Sequence, residues 1–123
     1  MQELVVDDER DVELLFRQKF RKEIRRGEIA RTFAFSGEEA LAYLSEHPAA
    51  VVLVLSDINM PGMSGLDLLK RIKTAQPTLP VCMMTAYANE AYVEEARAYG
   101  SDGYLTKPVD FDALKAQIRE LAG

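Results

Sequence analysis

Val51-Val52-Leu53-Val54-Leu55-Ser56-Asp57-Ile58-Asn59-Met60-Pro61-Gly62 is the stretch whose reading decides the fold. Residues 51–56 show no polar alternation, the pattern of a strand covered by helices on both faces of a parallel sheet. An acid, Asp57, closes the run, and Pro61-Gly62 marks the loop that follows. Three other apolar runs end in the same way. Leu4-Val5-Val6 leads into Asp7-Asp8, Val81-Cys82-Met83-Met84 into Thr85, and Tyr104-Leu105-Thr106 into Lys107. If these runs are neighbouring parallel strands, their C-terminal ends share one sheet edge, where open α/β sheets place their ligands.

Helix-period segments separate the strands. Asp8 is expected to cap a first helix in which Val12, Phe16, Phe20 and Ile24 recur every four residues, Leu15 fills the same stripe, and Gly27 ends the run. Ala30–Phe35 reads as the second strand. Ser36-Gly37-Glu38-Glu39 is a capping box for a helix running to about Glu46 and stopped before Pro48. Ser64 caps a third helix to about Ala75. Asn89 begins a fourth that ends at Gly100, and Asp110 caps a last one carrying Leu114, Ile118 and Leu121. The total is five strands and five helices, alternating as in βαβ units, with residues 1–123 expected to form one domain.

At 123 residues, with 48% hydrophobic and 28% charged content, the chain can bury a core without covalent staples. Its net charge of −5 argues against direct nucleic-acid binding by this domain. The lone cysteine, Cys82, lies inside an apolar run and reads as a buried structural thiol. No apolar segment approaches membrane-spanning length and the first residues lack the pattern of a signal peptide, so a cytoplasmic protein is expected.

The strand ends carry chemistry only as a set. Singly, Asp7-Asp8 reads as a charged helix start, Asp57 as a turn former, Thr85 as a strand residue and Lys107 as a solvated strand end. Together they bring three carboxylates, a hydroxyl and an ammonium to one crevice. Clustered acids demand a cation, and an oxygen-only donor set suits Mg²⁺. The lysine beside them points to a further anion, a phosphoryl group. A carboxylate such as Asp57 can accept that group as an acyl phosphate if cations neutralise the transition state; Asp7 and Asp8 can hold the metal, and Lys107 and Thr85 can contact phosphoryl oxygens.

The chain resembles the receiver domains of bacterial two-component response regulators. The motifs that carry the resemblance are Leu4-Val5-Val6-Asp7-Asp8-Glu9, Leu53 through Gly65, Met84-Thr85-Ala86 and Gly103-Tyr104-Leu105-Thr106-Lys107-Pro108. The resemblance implies an α/β, flavodoxin-like, doubly wound sheet of strand order 2-1-3-4-5. It implies that Asp57 is phosphorylated by a phosphohistidine on a sensor histidine kinase or a histidine phosphotransfer protein. It also implies that Asp8 contacts Mg²⁺ directly, that Asp7 acts through water, and that Asp57 and the backbone carbonyl of Asn59 complete the ligands. Thr85 and Tyr104 are implied as the switch pair, read by a downstream output protein or domain, with homodimerisation on phosphorylation left open. A bulky Tyr87 is placed to flank the phosphoryl group and slow its hydrolysis. Against the family pattern, the first helix is longer by roughly one turn, about four residues, and holds Arg17, Lys19, Arg21, Lys22, Arg25 and Arg26. Those six read as a solvated face, or as a contact for an acidic partner.

Other readings are weaker. An aspartyl-phosphate phosphatase resembling haloacid-dehalogenase enzymes needs a second acid two residues after the nucleophile, where Asn59 stands. A nucleotide-binding domain would need a glycine-rich phosphate loop that is missing. A degenerate interaction module would not need all five site positions.

Overall fold

The computed structural model describes residues 2–27, 30–86 and 90–122. Strands β1 (Gln2–Val6), β2 (Ala30–Ala34), β3 (Leu53–Asp57), β4 (Val81–Thr85) and β5 (Gly103–Thr106) alternate with helices. The helices are α1 (Asp11–Lys19), α2 (Arg21–Arg25), α3 (Gly37–Glu46), α4 (Gly65–Ala75), α5 (Glu90–Ala98) and α6 (Phe111–Ala122). All strand pairs are parallel, in the order β2-β1-β3-β4-β5. This is the expected flavodoxin-like, doubly wound sheet.

Alternate strand residues feed two separate cores, which is why the central strands lack polar positions. On one face Leu4, Val6, Val54, Val81 and Met83 pack with Leu44, Leu69, Ile72 and Ala96 from α3, α4 and α5. On the other, Val5, Leu55, Cys82 and Met84 pack with Phe16, Phe20, Leu114 and Ile118 from the α1 and α6 layer. Burial pushes the Cys82 thiol up to about 12, so it is an inert core residue.

Three helix starts follow their local signals. Ser36 Oγ accepts from Glu39 N–H at 3.1 Å, and Glu39 Oε2 accepts in return from Phe35 N–H at 3.0 Å, one residue before the cap. Ser64 Oγ accepts from Asp67 N–H at 3.2 Å, and Asp110 Oδ1 from Asp112 and Ala113 at 3.0 and 3.2 Å. Gly100, just past α5, takes φ 94°, a left-handed conformation that suits glycine. Asn89, the expected start of that helix, lies outside the described residues.

The first helix departs from expectation. Asp8 does not cap it; α1 begins at Asp11 after Arg10, which makes no side-chain cap. Asp7 instead accepts from Glu9 N–H at 3.0 Å while its own N–H donates to Ala34 O at 3.1 Å, so the acid pair lies between β1 and the helix and does not open the helix. The helix then breaks at Phe20 (φ −109°, ψ 22°), so the described chain has six helices instead of five. Phe20 is fully buried, its ring 5.7 Å from that of Phe16 and edge-on to Phe111 at 5.9 Å. The bend keeps that ring in the core while the charged residues after it turn outward. Leu15 and Ile24, expected in the apolar stripe, are each 41% exposed.

One core feature carries no local sequence signal. β1 and β2 pair Glu3 directly with Arg31, and their side chains form an ion pair at 2.8 Å that is shut off from water. None of their side-chain N and O atoms gains a well-aligned hydrogen bond. The Arg31 guanidinium lies 3.7 Å over the Phe20 ring.

Candidate functional site

Strand register assembles the site. Val6 pairs with Ser56, so Asp7 comes level with Asp57. Asp57 pairs with Met84, which sets Thr85 one residue further along, and Thr85 pairs with Thr106, which sets Lys107 one further still. The strand order reverses between β1 and β3, so the acids sit at the switch point of the sheet.

Asp7, Asp57 and Thr85 are buried, and Asp8 is half-buried. Ligand oxygens of Asp7, Asp8 and Asp57 all lie within 4.8 Å of one another. Lys107 Nζ donates to Asp7 Oδ2 at 2.6 Å and stands 3.5 Å from Asp57 Oδ2. Asn59 Nδ2 donates to Thr85 Oγ1 at 3.3 Å, a side-chain contact that no local sequence signal announces.

Burial raises the Asp57 carboxyl above the usual range; Lys107 pulls it back, and the neighbouring Asp7 charge pushes it up again. Burial also works against the Lys107 ammonium. The hydrogen bond and attraction to Asp7, with Asp57 and Glu9 adding, nevertheless lift it above the ordinary lysine value. Lys107 is therefore a fixed cation at neutral pH. One ammonium among three carboxylates leaves an excess of negative charge, and hard oxygens this close fit a small divalent cation such as Mg²⁺.

The loop after β3 is held by a contact only glycine allows. Gly65 N–H donates to Ile58 O at 2.7 Å, and a Cβ on Gly65 would fall 1.9 Å from Asp57 O and 2.7 Å from Ile58 Cα. Both neighbours are backbone, so they cannot swing aside. Gly65→Ala is expected to cost about 3 kcal/mol, the upper end for overpacking, seen as a lower denaturation midpoint. The shift would reach Asp57 directly.

Tyr104 lies apart from the acids. It pairs with Met83 in β4, and its ring packs on the core layer of α3 to α5. It borders a cleft of about 190 Å³ with Val93, Ala96 and Arg97 of α5. Burial, then Tyr92, raises its phenol. Tyr87 lies outside the described residues. On the opposite side of the site, a groove of about 540 Å³ opens beside Lys107 between Val12 and Leu15 of α1 and Phe111 of α6.

The sequence matches the family described as response regulator receiver domain over residues 4–119. It is 39% identical over 114 residues to the DNA-binding transcriptional regulator NtrC of Proteus hauseri, covering 93% of this chain and 23% of that protein. The chain thus spans about a quarter of that relative's length. It is 33% identical over 119 residues to sporulation initiation phosphotransferase F of Bacillus subtilis (strain 168), covering 95% of this chain and 90% of that one. A crystal structure of a response regulator receiver domain protein from Clostridium thermocellum superposes with a TM-score of 0.88 at 26% identity, covering 98% of this chain and 93% of the other.

Proposed function

The chain belongs to the response regulator receiver domain family, and on that basis we propose which residues carry its phosphoacceptor role in two-component signalling. Residues 1–123 act as one receiver domain. Asp57 is the acceptor. One of its carboxylate oxygens forms a bond to phosphorus as the P–N bond of a donor phosphohistidine breaks. The electron pair stays on the imidazole nitrogen, which takes up a proton. The observation that carries this reading is the buried Asp57 at a strand end, 3.5 Å from Lys107 and with two further carboxylates in reach.

Lys107, already fixed on Asp7, lies close enough to bridge Asp57 and a phosphoryl oxygen as a point charge. The Thr85 hydroxyl, which accepts from Asn59, would donate its O–H to another. Asp7, Asp8, Asp57 and the Asn59 carbonyl would hold Mg²⁺, which when bound supplies the charge neutralisation that phosphoryl transfer requires. Movement of Thr85 would free space for Tyr104, and the α5–β5 surface would change for an output protein or domain. The donor is a sensor histidine kinase or a histidine phosphotransfer protein, and the groove beside Lys107 leaves the site open to it. Among the described residues no helix is long and apolar enough to cross a membrane; the cytoplasm is the compartment proposed. Asn59 is an amide engaged with Thr85, so it supplies no general acid for a phosphatase of the haloacid-dehalogenase type.

The test is incubation with acetyl phosphate and Mg²⁺ followed by intact mass. One phosphoryl unit should be gained, and none when EDTA removes the metal. Absence of an adduct, or one formed equally well without divalent metal, would overturn the assignment.

A further inference from the structure

Residues 17–26 hold six of the chain's 15 basic residues and one of its 20 acids, so this stretch carries +5 while the rest of the chain carries −10. In the structure Arg17, Lys19, Arg21, Lys22, Arg25 and Arg26 are all exposed around the inward-turned Phe20. The single acid, Glu23, pairs with Lys115 of α6 at 3.1 Å and also attracts Arg26, so it offsets only part of the face. Arg17 is held by Glu13 at 2.7 Å, a surface pair that a competing carboxylate can exchange.

A cleft of about 240 Å³ opens in this basic face, between the α1–α2 segment and the edge strand β2. Phe16, Ile24 and Phe33 form its apolar walls, and Arg17 and Arg31 its charged ones. The volume is below the ~300–1,000 Å³ of small-molecule sites and suits one large side chain. Arg31 is already committed to Glu3, so free anions have no buried charge to claim there. An extended polyanion such as DNA would meet the negative remainder of the domain and make no use of the apolar walls.

We propose that the α1–α2 face docks an acidic segment of a protein partner. One bulky aliphatic or aromatic side chain sits against Ile24 and Phe33, and flanking carboxylates meet Arg17, Arg21 and Arg25. α1 leaves the Asp57 edge and runs back along the sheet, so α2 and the start of β2 lie at the opposite edge. The occupant therefore does not compete with a phosphoryl donor, and this inference goes beyond the phosphoacceptor reading.

The probe is a short fluorescent peptide of glutamates around a central phenylalanine, titrated at low salt against the unphosphorylated protein. Its serine-centred version, a short DNA duplex and phosphatidylserine vesicles are the comparisons. The phenylalanine peptide should bind saturably and about tenfold more tightly than the serine one. It should lose about tenfold on Arg21→Glu/Lys22→Glu/Arg25→Glu, with acetyl phosphate labelling of Asp57 unchanged. Ile24→Ser should erase the preference for phenylalanine. Amide shifts of the wild type should move in residues 17–26 and 31–33, a readout that survives if a variant fails to fold. Equal binding of both peptides, unchanged affinity after charge reversal, shifts elsewhere, or tighter binding of DNA or vesicles would each overturn the proposal. Because binding is read without phosphorylation, its failure is distinguishable from failure at Asp57.

Discussion

Asp57→Asn should abolish the phosphoryl adduct formed with acetyl phosphate and Mg²⁺, and in the same protein raise the melting temperature measured without metal. The two effects have one cause. Asp57 must be an ionised oxygen nucleophile to attack phosphorus, and an amide oxygen lacks that charge. Yet the ionised group is costly in the folded state, because burial removes its hydration and the Asp7 charge repels it. Asparagine keeps the shape and removes the charge. Lys107 is not orphaned, since Asp7 holds it at 2.6 Å. A rise of a few degrees, the scale of ~1 kcal/mol in a domain of this size, is expected. Since the folded-state value of Asp57 is raised, its contribution favours folding below the unfolded-state carboxyl range and is lost as pH rises through the folded value. The gap between variant and wild type should thus be widest near neutral pH and close on acidification. Mg²⁺ should also narrow it by stabilising the wild type more. Mapping of the adduct to another residue, or a variant that melts lower at neutral pH, would contradict this account.

Glu3→Leu should be the most destabilising single change at the β1–β2 edge, costing about 3–5 kcal/mol. It strands the Arg31 guanidinium, which cannot shed its proton, in a place closed to water. That loss is a large part of the ~5–15 kcal/mol that holds a domain together. Arg31→Met should cost less at low pH than at high pH, because the abandoned Glu3 can protonate; burial already raises its carboxyl despite Arg31. The double variant Glu3→Leu/Arg31→Met should recover most of the loss, since apolar side chains of similar volume can fill the space beside Phe20 without any charge to desolvate. Urea denaturation of the four proteins measures the coupling directly. Additive losses would mean that the two side chains do not depend on each other.

The fold and the acidic site were legible for one reason: their signals are local. A strand buried on both faces must be apolar throughout, so Val51–Ser56 and Val81–Met84 announce themselves without knowledge of their neighbours. The caps Ser36, Ser64 and Asp110 bond within their own first turn. Asp7, Asp8, Asp57, Thr85 and Lys107 were identifiable because each follows such a run by a residue or two, and parallel pairing then fixes the common edge.

What the amino-acid order alone determined was therefore the kind of sheet, its covered central strands and the group of polar side chains gathered along one rim. Only the tertiary structure decided which of several locally acceptable outcomes occurred. Asp8 has the chemistry of a helix cap, but it lies in the bend after β1 and the helix begins only at Asp11. Phe20 continues a helical period, but its contacts with Phe16 and Phe111 bend the chain there. Glu3 and Arg31 look like ordinary polar residues until β1 and β2 set them opposite each other under an aromatic layer. Gly65 carries no helix or turn signal for its role; its need for a hydrogen in place of a Cβ exists only because α4 starts against the Asp57 carbonyl. For Phe20 against Phe111 and for Glu3 against Arg31 the deciding contact joins residues distant in the chain, and the free energy of such a contact is not a property of either residue alone.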